Sequence, residues 1–426
     1  MRNHKTAFQN ASYTFLLLFI VTTAASQATT SFHYSVMVLV RSVGLAALTV
    51  ILVLYLLKAS QTLRVSRQVF ALGIVYSFLL FWGLGFSLFT GGFSFFVEDR
   101  NLPVFLAISV VYGFALLALL TGFQKQEGAT SNVISPLLLY FFTSFLTMVA
   151  AGGVSPGFPP RIMFGQVNDV AISYSQGFSG FYAMGGVFLY SLANDATRGV
   201  SLFFFTSSVV FFSLSMLGGA RGDFLAGIIA LAFFVLRNPR FQNIVVIGGA
   251  ALLALVYVFQ SGIWEDIVVF KRLLVLADGN FGQRDILADQ AISLLREQPV
   301  CLALGCGFNF FQSYWGFEYG LYPHNAFLEA VVTFGLPVGG GLVLLSLLGL
   351  AISFLGWGAR NPVFYLLLVQ YLTMLKSGSL LGFTSLPLLV VFAMFGFDWL
   401  IRRPGLPVEN HFRQTASPAL GNDHSS

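Results

Sequence analysis

Charge is the scarcest property of this sequence. Charged residues make up 9% of 426 residues, against about 25% in a soluble domain. A water-bathed surface is thereby excluded for most of the chain. With 57% hydrophobic residues and a mean hydropathy of +0.81, the chain reads as a polytopic membrane protein. A Gly-rich phosphate loop is missing, which argues against an ATP-driven pump, and so are CxxC and HExxH, the latter arguing against a zinc protease of that type. The acidic residues show no metal-ligand spacing. The formal net charge is +5, but the basic residues follow a membrane topology and point to no nucleic acid. Histidine is equally sparse, at 5 residues.

What the chain does have is apolar runs of about 20 residues, the length that crosses a bilayer. They lie at 12–29, 34–57, 69–91, 102–122, 132–151, 176–193, 199–217, 223–236, 243–260, 328–357, 362–381 and 385–401, about 12 transmembrane helices in an all-α protein. Tyr13 to Ala25 reads as the first span and not as a cleavable signal, because further spans follow. Phenylalanine, at 48 residues, is mostly lipid-facing bulk. Lys58, Arg64, Arg67, Lys125, Arg198, Arg237, Arg240, Arg360, Arg402 and Arg403 fall at one set of span ends. The positive-inside rule makes that set cytoplasmic, with both termini inside. Four regions follow: helices 1–9 over 1–260, an outer loop over 261–323, helices 10–12 over 324–401, and a polar cytoplasmic tail over 402–426.

The outer loop is long and of mixed charge. Trp264 to Ala277 suits an amphipathic surface helix, and Arg284 to Glu297 suits another, with Leu287, Ala291, Leu294 and Leu295 on one stripe and Pro299 ending it. A loop on a rigid helical scaffold is where function usually sits. Cys301 and Cys306 both lie there. An oxidising compartment would allow a small-loop disulfide, and a pair of buried thiols is the other reading.

Few residues on this side can do chemistry. His33 and His324 are its histidines. His33 has no charged neighbours and reads as interfacial. His324 follows Pro323, which suits the first turn of a helix. The positive end of the dipole would then disfavour imidazolium and leave a neutral base; the plainer alternative is an interfacial helix cap. Arg221, in Gly218-Gly219-Ala220-Arg221-Gly222-Asp223, sits at a span end. It either faces a ligand cavity or snorkels beside Asp223. Arg284 opens a helix, where the dipole opposes a cation, so another group there wants the charge. Arg221 and Arg284 together would form a diphosphate clamp, because guanidinium forks match phosphate oxygens. Arg161 and Arg272 are weaker candidates, and Arg41 and Lys376, within spans, receive no role.

The order of Arg221-x3-Leu225, Gly282-Gln283-Arg284, Glu297-Gln298-Pro299, Gly305-Cys306-Gly307-Phe308 and Pro323-His324-Asn325 with Glu329 and Gly335 resembles the bacterial O-antigen ligase and polymerase superfamily over roughly 218–341. The resemblance implies a GT-C-like membrane glycosyltransferase without cofactor or metal. It would take a glycan from undecaprenyl diphosphate at the periplasmic face of the inner membrane and give it to a glycan or lipid-linked acceptor hydroxyl. His324 would be the base and Arg221 and Arg284 the diphosphate ligands, with Asn325, Glu329, Arg161 and Asp223 as accessories. Family ligases carry Gly-x-x-Gly nine residues after His-Asn, whereas here Gly335 is followed by Leu336-Pro337-Val338-Gly339, one residue longer. Ligation to a lipopolysaccharide core and polymerisation of repeat units both remain open. The competing class is a transporter or flippase of polyisoprenoid-linked glycans, which would concentrate its polar groups near mid-membrane.

Overall fold

The computed structural model describes residues 67–90, 109–110, 113, 130–150, 166–167, 170–171, 176–194, 196–237, 283–317, 321–356, 362–380 and 385–401. The expected spans 12–29, 34–57 and 243–260, most of 102–122, the Trp264–Ala277 helix and the tail lie outside them.

Within the described residues the chain is helical: α1 (Arg67–Thr90), α2 (Thr130–Ala150), α3 (Gln176–Ala193), α4 (Arg198–Leu217), α5 (Arg221–Arg237), α6 (Gln283–Glu297), α7 (Pro299–Leu304), α8 (Phe310–Trp315), α9 (Ala326–Gly335), α10 (Gly341–Gly356), α11 (Pro362–Ser377) and α12 (Ser385–Ile401). The exception is an antiparallel pair of two-residue strands, Gln166–Val167 with Val170–Ala171. Among the described residues, three stretches are long and apolar enough to cross a membrane: Phe70–Thr90, Arg198–Leu217 and Ala326–Leu355. Their outward faces are apolar, as at Phe81 (82% exposed) and Phe89 (90% exposed). In water these rings would be costly; against lipid they are ordinary.

Among the described residues α11 joins two of the cores. α3 is buried from Ser179 to Ala193 except at Met184. Its Phe181 and Phe188 meet Phe141 of α2, and its Tyr182 meets Phe211 of α4. Its Ala183 and Val187 share a cluster with Phe234 of α5 and Tyr365 and Val369 of α11. The second core gathers Leu72 and Tyr76 of α1, Phe334 of α9, Leu342 of α10 and Phe392 of α12 around Tyr371 and Met374 of α11. α11 is thus packed on both sides, and its end is held in place.

The expected span 328–357 is present as one apolar stretch, Ala326–Leu355, but its helix is interrupted. α9 stops at Gly335, whose φ is 79°, and Leu336–Gly340 make a wide π turn before α10 begins. Pro337 has no N–H to return to the Thr333 carbonyl. The segment after α7 supplies it instead: Gly307 N–H donates to Thr333 O at 3.0 Å and Cys306 N–H to Val332 O at 2.8 Å. Trp82 and Thr90 of α1 donate to the Leu304 and Cys306 carbonyls at 2.7 and 2.8 Å, and Ser87 donates to Phe308 O at 3.1 Å. The 304–308 segment is therefore wedged between α1 and α9, with backbone groups bonded to both. Non-helical backbone between apolar helices demands this. Gly305 and Gly335 face each other there, both at positive φ, and a Cβ on either would collide with the other's backbone.

Candidate functional site

The site starts from the turn between α4 and α5. Gly218 N–H closes α4 on Leu214 O at 2.9 Å. Ser179 of α3 then pins the turn: its Oγ accepts Ala220 N–H at 3.1 Å and its carbonyl accepts Ser215 Oγ at 2.7 Å. α5 consequently begins with Arg221 and Asp223 turned inward, 9% and 1% exposed. The ion pair of Asp223 is with Lys376, Nζ to Oδ2 at 2.7 Å. Asp223 Oδ1 is buried without a hydrogen-bond partner. Gly222 makes room for the pair, since a Cβ at 222 would overlap the lysine stem at Cδ and Cε.

The second wall is the entry to α9. Pro323 is not in the first turn, as the sequence suggested. Asn325 is the cap, its side chain accepting Phe327 N–H at 2.9 Å and Leu328 N–H at 3.1 Å. An amide oxygen is well suited to these two orphan donors, and this takes up the acceptor that would have served a substrate. His324 lies one residue before the cap in the left-handed region, φ 52°. A non-glycine residue held there is uncommon and marks a constrained position. Its ring is 4.2 Å from the Tyr322 ring, and Tyr322 donates to Ser377 O at 2.9 Å.

His324 is half-buried and its Nδ1 is buried without a partner. Burial first, then the charges of Arg284 and Lys376, push its pKa down to about 4. The ring is neutral at pH 7, as expected, but the physical cause differs. Desolvation and two cations do what was assigned to a helix dipole.

Arg284 comes from α6, which begins at Gln283. The anticipated stripe seats that helix: Leu287, Ala291, Leu294 and Leu295 are buried with Val332 of α9 in one cluster. Cys301 and Cys306 are joined as a disulfide across the end of α7. Glu329, 6% exposed, points to the turn after α11, accepting Leu380 N–H at 2.7 Å and Ser379 Oγ at 3.4 Å.

The end of α11 is therefore the meeting point. Lys376 takes Asp223, Ser377 takes Tyr322, and the 379–380 turn takes Glu329. From the expected set the structure gathers Asp223, Arg284, His324 and Glu329 around the end of α11, with Asn325 beside His324 as the α9 cap and Arg221 buried two residues before Asp223; Arg161, His33, Arg41 and Arg272 lie outside the described residues. It adds Lys376. The signal was present in the sequence: a cation closing an apolar helix at the same alternation end as Arg221. Among the described residues no three His, Cys, Asp or Glu side chains converge as a metal site would need. The arrangement offers cations for an anion beside an imidazole able to accept a proton. No family model, no curated protein and no solved structure matches the chain.

Proposed function

We propose that the chain is a membrane glycosyltransferase of the O-antigen ligase and polymerase kind, working on undecaprenyl-diphosphate-linked glycans at the periplasmic face of the bacterial inner membrane. One observation carries the reading: a half-buried, neutral His324 set within the field of Arg284 and Lys376. A hydroxyl attacking a sugar needs a base that is unprotonated at neutral pH and an anion site beside it for the leaving group.

In this reading Arg221 and Arg284 hold the donor's diphosphate by charge-assisted hydrogen bonds. His324 takes the acceptor hydroxyl's proton as the oxygen attacks the anomeric carbon opposite the diphosphate. The C–O bond to phosphate breaks, undecaprenyl diphosphate leaves with the bonding pair, and the anomeric centre inverts. The held diphosphate is a stable anion, so no separate acid is needed. The unpartnered Nδ1 fits a site whose last hydrogen bond comes from a ligand.

Purified protein given an undecaprenyl-diphosphate-linked glycan and an acceptor, with chelator present, should form an inverted glycosidic bond and release undecaprenyl diphosphate. Translocation of the donor across vesicles without any bond formation would instead establish the transporter class. In cells, a deletion that leaves a single lipid-linked repeat marks a polymerase, and one that leaves long polymer on the lipid marks a ligase. Cysteine labelling at Gly279 and at the C-terminus should give opposite sides; one side for both would overturn the mechanism.

A further inference from the structure

The chain between α6 and α9 lacks charge where water would favour it. From Glu297 to Glu318 the sequence has no Asp, Glu, Lys or Arg in between. The helix just before shows the opposite surface: Asp285, Asp289, Arg296 and Glu297 of α6 are exposed, with Ile286 and Ile292 scattered among them. Single apolar residues of that kind are ordinary on a wet surface.

α7 is different. Its Cys301 turns inward and is buried in the disulfide. Its other residues, Pro299, Val300, Leu302, Ala303 and Leu304, are all exposed and all apolar, Val300 at 60%. The patch continues past the helix. Gly305 packs on the Gly335 backbone, and the next residues of that strand of chain, Leu336 and Pro337, are exposed as well. On α1, Trp82 donates to Leu304 O at 2.7 Å. Its ring lies 5.4 Å from that of Phe78, which belongs to the exposed stripe of Phe70, Ile74, Phe78 and Phe81. The apolar face of α7 is thereby continuous with two stretches, Phe70–Thr90 and Ala326–Leu355, that are long and apolar enough to cross a membrane.

We infer that α7 is an interfacial element, its exposed face covered by lipid acyl chains at the bilayer edge beside the C-terminal end of α1. A contiguous apolar patch needs a partner, and the neighbours of this one already face lipid. The backbone fits that setting, since the Leu304 and Cys306 carbonyls are bonded to α1 and the Cys306 and Gly307 N–H groups to α9. Water begins at Glu297, which accepts the Tyr314 hydroxyl at 2.7 Å; a phenol at that level is typical of a membrane–water boundary. The expected outer loop 261–323 is then only partly in water. α9 runs 10 residues, about 15 Å of helix, from Gly335 back towards His324, which sets the candidate site on the water side of the immersed edge. The inference rests on α1 and α10 crossing a membrane and is independent of any glycosyl transfer.

Nitroxide labels on the full-length protein in lipid nanodiscs test it. Val300→Cys, Leu302→Cys and Leu336→Cys are labelled one at a time, with Asp289→Cys and Arg296→Cys for comparison; Cys301 and Cys306 are bonded to each other and do not take the label. Labels on the first three should collide with oxygen in preference to a water-soluble nickel chelate, and labels on the other two should show the reverse. Nickel access on α7 equal to that on α6 would overturn the inference by placing water there. Little access to either reagent would also overturn it, because protein and not lipid would cover the face. Leu302→Asp and Leu302→Phe read the same surface without a label. In nanodiscs the aspartate should lose several degrees of melting temperature and the phenylalanine none; equal melting temperatures would count against lipid contact.

Discussion

The Glu329 carboxylate accepts the Leu380 N–H at 2.7 Å, tying α9 to the turn that follows α11. One turn of helix before Glu329 is the Asn325 cap and, just ahead of it, His324; two residues before that turn is Ser377, which holds Tyr322. Glu329 therefore sets the distance between the imidazole side and the lysine side of the site. It is a positioning residue, not a partner of His324. Glu329→Gln keeps an acceptor for Leu380 and should fold and work nearly normally. Glu329→Ala strands a buried N–H, which costs about 1–3 kcal/mol, and should lower both the melting temperature and turnover. Equal melting temperatures for the two variants would show that the bond does not organise the turn.

In the proposed reaction Arg221 and Arg284 meet charge that builds on the leaving diphosphate. Alanine at either should cost about 2–4 kcal/mol of transition-state stabilisation, or roughly 30- to 1,000-fold in rate, with the protein still inserted. Lysine should rescue in part, since it lacks the fork. The buried Arg221 (9% exposed) should tolerate lysine less well than the half-buried Arg284. Unchanged rates in both alanine variants, measured on purified protein, would rule the clamp out.

How much of this was legible in the sequence depends on the range of the contacts involved. The helices α3, α4 and α12 follow the apolar runs 176–193, 199–217 and 385–401 closely, because hydropathy is a local property. The seat of α6 was legible for the same reason, since Leu287, Ala291, Leu294 and Leu295 carry a 3.6-residue period. The break at Gly335 was not. It is decided by bonds from Cys306 and Gly307 to Val332 and Thr333 and by α1 gripping the same loop from 222 residues away. The place of Lys376 at the end of an apolar run is legible, but its pairing is not, since Asp223 is 153 residues distant.

Asn325 and His324 should separate cleanly. His324→Ala removes the base and should lower turnover by about 10²–10⁴-fold while donor binding persists. Asn325→Ala removes a helix cap, at about 0.5–2 kcal/mol, and should act on stability and, through the placement of His324, more mildly on rate. Asn325→Asp and Asn325→Ser keep a capping oxygen and should restore both. If these capping variants melt like wild type yet are as inactive as His324→Ala, the amide contacts substrate and the cap is incidental.

The pH profile follows from the field around His324. Burial, Arg284 and Lys376 lower its pKa from 6.5 to about 4, so in the proposed reaction the donor-free protein would keep its base down to that pH. The acid limb of kcat/KM should therefore fall near pH 4 and not near 6.5, since kcat/KM reports the free enzyme. On the proposed reading a diphosphate bound at Arg284 would offset one of the cations that lower this pKa and raise it in the complex; kcat should then fall off at a higher pH than kcat/KM. The stability consequence has the matching sign. Between pH 6.5 and about 4 the unfolded chain takes up a proton that folded His324 refuses. This residue therefore subtracts stability as pH falls through that window, with the full loss reached below about pH 4. His324→Gln should gain on wild type in melting temperature at pH 5 relative to pH 8. A kcat/KM limb near 6.5, or a limb unchanged by removing the imidazole, would show that the proton is taken by another group.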